Sequence, residues 1–165
     1  MPPSPERWKF SPPNAPDHFF RQRLLQQFEA HREKQLILFV GQAGQGKSTL
    51  AAKAIHSHSH RCRGPYVVVN CGAIPEHLME TELFGHMKGA FTDAKETKKG
   101  RLELAHGGTL FLDEIGEIGM RMQIDLLRVL EDRVFYRVGG TQPIEADFRV
   151  VAASNRSLEQ AIRDG

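Results

Sequence analysis

Gly41-Gln42-Ala43-Gly44-Gln45-Gly46-Lys47-Ser48 matches the pattern G-x-x-x-x-G-K-[ST] at every fixed position. The apolar run Leu36-Ile-Leu-Phe-Val40 precedes it, and the helix-favouring stretch Thr49-Leu-Ala-Ala-Lys-Ala-Ile55 follows. Strand, glycine-rich turn and helix therefore stand in the order that a phosphate-wrapping loop needs. The glycines let the backbone visit conformations that a side chain would block. The wrapped N–H groups and the helix N-terminus then offer donors and partial positive charge to an anion. Lys47 is expected to reach the β- and γ-phosphates and the Ser48 hydroxyl to help hold Mg²⁺. The pattern predicts binding of a nucleoside triphosphate by residues 41–48 together with Thr49.

A second stretch completes the chemistry. Thr109-Leu-Phe-Leu-Asp113-Glu114 is an apolar strand that ends in two carboxylates. In an open α/β sheet, ligands bind at the carboxyl ends of the strands, where such a pair would face them. Asp113 is expected to act on Mg²⁺, largely through water, and Glu114 to orient and polarise the attacking water. A third strand, Phe148 to Ala153, ends in Ser154-Asn155-Arg156. Asn155 reads either as a ligand of the γ-phosphate or attacking water, or as an ordinary turn residue.

The bulk composition sets limits. A chain of 165 residues, 40% hydrophobic and 25% charged, suits one globular domain with a real core. A net charge of +2 is too small to argue for a nucleic-acid surface. Cys62 and Cys71 make no disulfide framework; their spacing allows a bond between them, but they read better as a cytosolic, reduced pair. No apolar run approaches the ~18 residues of a membrane helix. With no signal-peptide pattern at the proline-rich N-terminus, the expected location is the cytoplasm.

Residues 1–16 read as an extended, proline-rich arm and residues 17–34 as an amphipathic helix. His56-Ser-His-Ser-His-Arg-Cys62 has a spacing that suits neither one helix face nor a structural zinc site, so it reads as a polar helix end. Tyr66 to Val69 is a short strand. Residues 76–84 are expected to be helical with Leu78, Met79, Leu83 and Phe84 inward. Residues 120–131 are expected to be helical with Met122, Leu126, Leu127 and Leu130 inward. Between those helices, Gly85 to Ala94 reads as a loop whose Phe91 is either an exposed tip or tucked beneath it. Lys95 to Arg101 reads as a solvated charged face. Val134–Val138 and Gln142–Ala146, flanking Gly139-Gly140, read as a hairpin.

From the phosphate loop onward the chain resembles the AAA+ domain of bacterial enhancer-binding proteins, the activators of sigma-54 RNA polymerase. The resemblance is carried by Val69-Asn-Cys71, Glu82-Leu-Phe-Gly-His86, Lys88-Gly-Ala-Phe-Thr-Asp-Ala94, Gly107-Gly-Thr-Leu-Phe-Leu-Asp-Glu-Ile115, Leu127-Arg-Val-Leu130, Arg137-Val-Gly-Gly140 and Ala152-Ala-Ser-Asn-Arg156. It implies that Gly89–Ala94 is the sigma-contacting loop, with Phe91 and Thr92 at the contact, and that the hairpin within 134–149 is its moving neighbour. It implies further that Asn70 is a switch residue holding Glu114 off water, and that Ser154 and Asn155 are the first sensor. The implied function is ATP hydrolysis in a self-associated ring, coupled to remodelling of sigma-54 RNA polymerase.

Three departures from the family pattern qualify this. Asp93 puts a charge and a Cβ where the family loop most often has glycine. Ser48-Thr49 is the general phosphate-loop form and should favour Mg²⁺. Residues 17–50, especially Gln35 to Leu50, are similar to the entry of the STAND ATPases. The family's arginine fingers, fifth core strand and helical lid would lie beyond Gly165, so weak or no turnover is expected of the isolated chain, and strand 1 would lie on an open edge. No DNA-binding motif is read in the chain. The expected fold is an α/β P-loop NTPase (AAA+) three-layer sandwich, its parallel sheet of at least four strands ordered 1-4-3-2, with no lid. The domain organisation is then an arm at 1–16 and a partial AAA+ domain at 17–165. The alternatives are a non-catalytic ATP-binding regulator and a STAND-like nucleotide switch.

Overall fold

The computed structural model describes residues 36–40, as backbone, and residues 47–154. The proline-rich arm, the helix expected at 17–34, Gly41 to Gly46, Asn155 and the helix expected near Ser157 lie outside the described residues.

Four strands make the central sheet: β1 (Leu36–Val40), β2 (Tyr66–Asn70), β5 (Thr109–Asp113) and β8 (Arg149–Ser154). All three pairings are parallel, and the spatial order is β1-β8-β5-β2. Counted along the chain, these four strands stand in the order 1-4-3-2. Helix α1 (Lys47–Ser57) follows β1, α2 (Glu76–Phe84) follows β2, and α4 (Met120–Asp132) follows β5. A short stem, β3 (Gly85–His86) with β4 (Lys98–Lys99), and a short helix α3 (Arg101–Leu104) lie between α2 and β5. The pair β6 (Val134–Phe135) and β7 (Ile144–Glu145) precedes β8.

Side chains alternate across the sheet, and each face has its own core. Leu110, Leu112, Val150 and Ala152 point to one face, where they meet Met79, Leu83, Leu126 and Val129 from α2 and α4. Phe111, Val151 and Ala153 point to the other and meet Ala51, Ala52 and Ile55 of α1. Burial on both faces is the condition under which purely parallel strands are stable. The result is a helix–sheet–helix sandwich.

Three details depart from the helical and hairpin expectations. Leu78 and Leu127 are 44% and 54% exposed. On α4 the inward row is Met122, Leu126, Val129 and Leu130, at i, i+4, i+7 and i+8. Leu127 falls on a separate exposed row with Met120 and Ile124. The hairpin strands are two residues each, because Arg137-Val138 is diverted to another partner. The Met87 amide donates to Val138 O at 3.0 Å, and the Val138 amide donates to Gly85 O at 3.0 Å. The histidine run does end α1, and among the described residues no cluster could hold a metal. His56 nevertheless turns inward: it is buried, with Nδ1 at 3.1 Å from Thr109 Oγ1 and its ring against Tyr66.

Phe111 is fully buried in the middle of β5, between both neighbouring strands and α1. Phe111→Ala is expected to destabilise the fold by roughly 3–5 kcal/mol, read as a lower urea midpoint; a loss below about 1 kcal/mol would contradict the two-core packing.

Candidate functional site

Parallel pairing in register brings the strand ends to one edge. Val40 lies opposite Ser154, and Asn70 lies opposite Asp113, while Leu112 pairs with Ala152. Val40, Ser154, Asp113 and Asn70 therefore line the carboxyl edge of the sheet, the first two one residue beyond the level of the last two. The 41–46 segment leaves from the first of them. Helix α1 opens at Lys47 over the same edge, with no acidic residue in its first turn to neutralise the helix dipole. Ser48 and Thr49 in that turn are half-buried.

The chain turns sharply after β5. Glu114 has φ 54° and ψ 43°, the left-handed region, which costs an ordinary residue about 1–2 kcal/mol. The turn is held by the Glu114 amide donating to Asp113 Oδ1 at 3.0 Å and the Glu117 amide donating to Glu114 O at 2.9 Å. Its effect is to swing the Glu114 side chain sideways, towards the end of β2. There Asn70 Oδ1 accepts from the Ala73 amide at 3.0 Å and caps the turn Cys71–Ala73. The Glu114 carboxylate lies over Gly72: a Cβ added at Gly72 would collide with Oε2 and would sit 3.5 Å from Asn70 Oδ1. The structure thus brings Asn70, Asp113 and Glu114 together. Sequence reasoning missed Gly72; its only signal was a glycine directly after Asn70-Cys71.

The two loops form a second unit, away from the sheet. Phe91 is 43% exposed, with its ring edge-on to His86 at a centroid distance of 5.0 Å, so it is neither a free tip nor buried. Thr92 and Asp93 are exposed. The loop is braced internally: Gly89 N donates to Ala94 O at 2.8 Å and Lys88 N to Thr97 Oγ1 at 3.1 Å. Asp93 lies outside the left-handed region, which among described non-glycine residues holds only Glu114 and Arg133. Its Cβ therefore strains nothing in this conformation. Gly139, at φ +72°, passes so close to Ala90 that a Cβ would come within 2.8 Å of the Ala90 Cβ. Arg137 clamps Glu103 of α3 with Nε and Nη2 at 3.0 and 2.8 Å, both side chains largely buried. This bidentate pair was not foreseen. Lys98 and Arg101, within the segment read as a solvated charged face, pair with Glu82 at 2.6 and 3.5 Å.

The family model described as the sigma-54 interaction domain matches residues 17–165. The chain belongs to the sigma-54 interaction domain family. Among curated relatives, the Nif-specific regulatory protein of Herbaspirillum seropedicae is 57% identical over 129 residues, covering 78% of this chain and 24% of that protein. The DNA-binding transcriptional regulator NtrC of Escherichia coli (strain K12) is 51% identical over 129 residues, covering 78% of this chain and 27% of NtrC. The chain spans about a quarter of the length of the curated relatives it matches. NtrX from Brucella abortus superposes with a TM-score of 0.78 at 39% identity, over 88% of this chain and 32% of that one. The P-loop NTPase domain of a sigma-54 activator from E. coli, at 17% identity and a TM-score of 0.52, covers 87% of both chains and attests the fold.

In this sigma-54 interaction domain both cysteines are free, Cys62 exposed and Cys71 buried. Burial pushes the Cys71 thiol up to about 12, and the charges of Asp113 and Glu114 push in the same direction. The thiol is thus held neutral beneath the acidic turn and is a packing group, not a nucleophile. Tyr66 is likewise pushed to about 12, first by burial and then by Asp113. Both groups hold their protons more tightly when folded, so the stability they contribute is complete below the unfolded pKa and is lost as pH rises towards 12. Urea midpoints should fall from about pH 9, where an unfolded thiol ionises. In Cys71→Ala the decline should begin nearer pH 10, with Tyr66; an unchanged profile would place the thiol elsewhere.

Proposed function

We propose that this domain binds Mg-ATP at the carboxyl edge of its sheet and hydrolyses it to drive remodelling of sigma-54 RNA polymerase. The observation that carries the reading is the row Val40, Ser154, Asp113 and Asn70, with Glu114 beside it and α1 opening at Lys47 over the same edge. A nucleotide whose phosphates lie on 41–48 would then face two carboxylates. NtrX from Brucella abortus, 35–38% identical, has been solved in complex with ADP and with ATP, which supports the same ligand class here.

In this reading Gly41, Gln42, Ala43, Gly44, Gln45 and Gly46 wrap the phosphates with backbone N–H groups. Lys47 neutralises the β- and γ-phosphates, and Thr49 extends the first turn behind Ser48. The Ser48 hydroxyl and Asp113 supply hard oxygen donors of the kind Mg²⁺ takes. They fit that role because Ser48 is half-buried in the first turn of α1 and Asp113 ends β5, its Oδ1 accepting from the Glu114 amide. Mg²⁺ there would offset phosphate charge in the transition state. Glu114 orients and polarises the attacking water, Asn70 holds Glu114 in reserve, and Asn155 with Ser154 senses the γ-phosphate. Phe91 and Thr92 of the 89–94 loop contact the sigma factor, and the loop within 134–149 moves with them. The complete protein works as a ring in the cytoplasm, and residues 17–165 are its nucleotide-binding part, preceded by the arm at 1–16.

A second reading, nucleotide binding without turnover, is favoured by one observation: the Glu114 carboxylate lies over Gly72, beyond Asp113 from β1. Calorimetry and steady-state assays separate the two. Lys47→Ala is expected to weaken Mg-ATP binding by on the order of 10²-fold or more, the scale of losing one desolvated charge contact; unchanged affinity would refute its role. Glu114→Gln is expected to keep binding and lose roughly 10²–10⁴-fold in turnover. Binding with no turnover in either the parent or the variant, even at high protein concentration, would favour the regulator.

A further inference from the structure

We infer that Gly72 is a positioning residue: its missing Cβ makes the space in which the Glu114 carboxylate rests beside Asn70, and so sets how often that carboxylate is withheld from the nucleotide. The inference rests on the reading of Glu114 as the group that polarises water.

Two features of the structure point to it. First, the space is specific. A Cβ on Gly72 would meet Oε2 of Glu114, lie 3.3 Å from its Cδ and lie 3.5 Å from Asn70 Oδ1. The backbone at Gly72 is not in the left-handed region, so the glycine is not needed for a turn conformation. What it supplies is room. Even one methyl group added to an occupied site forces its neighbour to move. The neighbour here is the end of a flexible side chain on a half-buried turn, so Glu114 would yield at a small cost to the fold.

Second, the resting place is on the wrong side for catalysis. The sheet order β1-β8-β5-β2 puts β8 and β1 on one side of Asp113 and β2 on the other. Gly72 follows β2, whereas the phosphate loop follows β1. A carboxylate over Gly72 points away from the strand that delivers the phosphates. Asn70 Oδ1 is already engaged by the Ala73 amide, so it provides a fixed wall, and Gly72 provides the floor. The side-chain rotation that brings Glu114 back needs no rearrangement of β5, because the left-handed turn is held through the Glu114 backbone, its amide donating to Asp113 Oδ1 and its carbonyl accepting from the Glu117 amide. A state that is withheld most of the time leaves a minor productive population of about 10% or less. Denying the resting place therefore raises the productive fraction without altering how the nucleotide binds.

The test compares the parent chain with Gly72→Ala in two arms. In calorimetry with Mg-ATP the two proteins should bind within about twofold of one another. In single-turnover hydrolysis, with protein in excess over ATP, Gly72→Ala should be faster by about fivefold or more, the release of a population that was mostly withheld. The gain should vanish when Glu114→Gln is added. Equal or slower hydrolysis with intact binding overturns the inference. If neither protein binds ATP, the nucleotide reading has failed and a third measurement, of stability, decides the contact itself. Gly72→Ala should lower the urea midpoint in the parent, and this penalty should disappear in a Glu114→Ala background, where no carboxylate occupies the space. A penalty that persists there overturns the inference.

Discussion

The register of four parallel strands is the constraint on which the rest of this domain depends. Because β1, β8, β5 and β2 run the same way in fixed register, their ends reach one edge, Val40 and Ser154 standing one residue beyond the level of Asp113 and Asn70. Two cores lock that register. A one-residue shift of β5 would exchange Phe111 with Leu110 and Leu112, turning each into the wrong layer. The acidic turn after β5 can then afford a strained Glu114, since its amide, its carbonyl and its neighbours are already fixed.

The same edge is connected to the two loops through a short, regular stretch of chain. From Asn70 the chain makes the turn Cys71–Ala73, enters α2 within three residues, and leaves α2 directly into β3, the stem of the Phe91 loop. The stem pairs with β4 and with Val138, and Arg137 next to it is clamped to Glu103 at the start of the connection back to β5. The Asn70 turn and the loop base thus stand at the two ends of one nine-residue helix. The clamp between Arg137 and Glu103 keeps the second loop attached to it. This is a contiguous path of backbone pairing and one desolvated ion pair, with no flexible linker between α2 and β3.

Much of this was legible in the sequence, and what was not has identifiable physical reasons. The strands around 36–40, 66–70, 109–113 and 149–154 were visible as apolar runs of β-branched and aromatic residues, and the Asp113-Glu114 pair marked a strand end facing a ligand edge. Helix α4 was visible by its period, but Leu127 looks inward only if the stripe is taken as broader than the contact; the sheet covers Leu126 and Val129 and leaves Leu127 out. The hairpin was read too long because a local turn signal at Gly139-Gly140 says nothing about Gly85, which captures Val138 from more than fifty residues away. His56 looked polar because spacing cannot show that Thr109 waits for it inside. Gly72 was invisible for a related cause: a missing side chain has meaning only when the atom that uses the space is known.

The central claim is that the polyphosphate lies at the carboxyl edge of the sheet, opposite Asp113. Titrating the labelled domain with Mn-ATP and recording amide signals by NMR tests it most directly, because the paramagnetic ion broadens only nearby groups. The account predicts that Ser48, Asn70, Asp113 and Ser154 broaden together while Tyr66 and Thr109, at the opposite ends of β2 and β5, stay sharp. Broadening centred on Tyr66 and Thr109, or spread evenly over both ends of the strands, would contradict it.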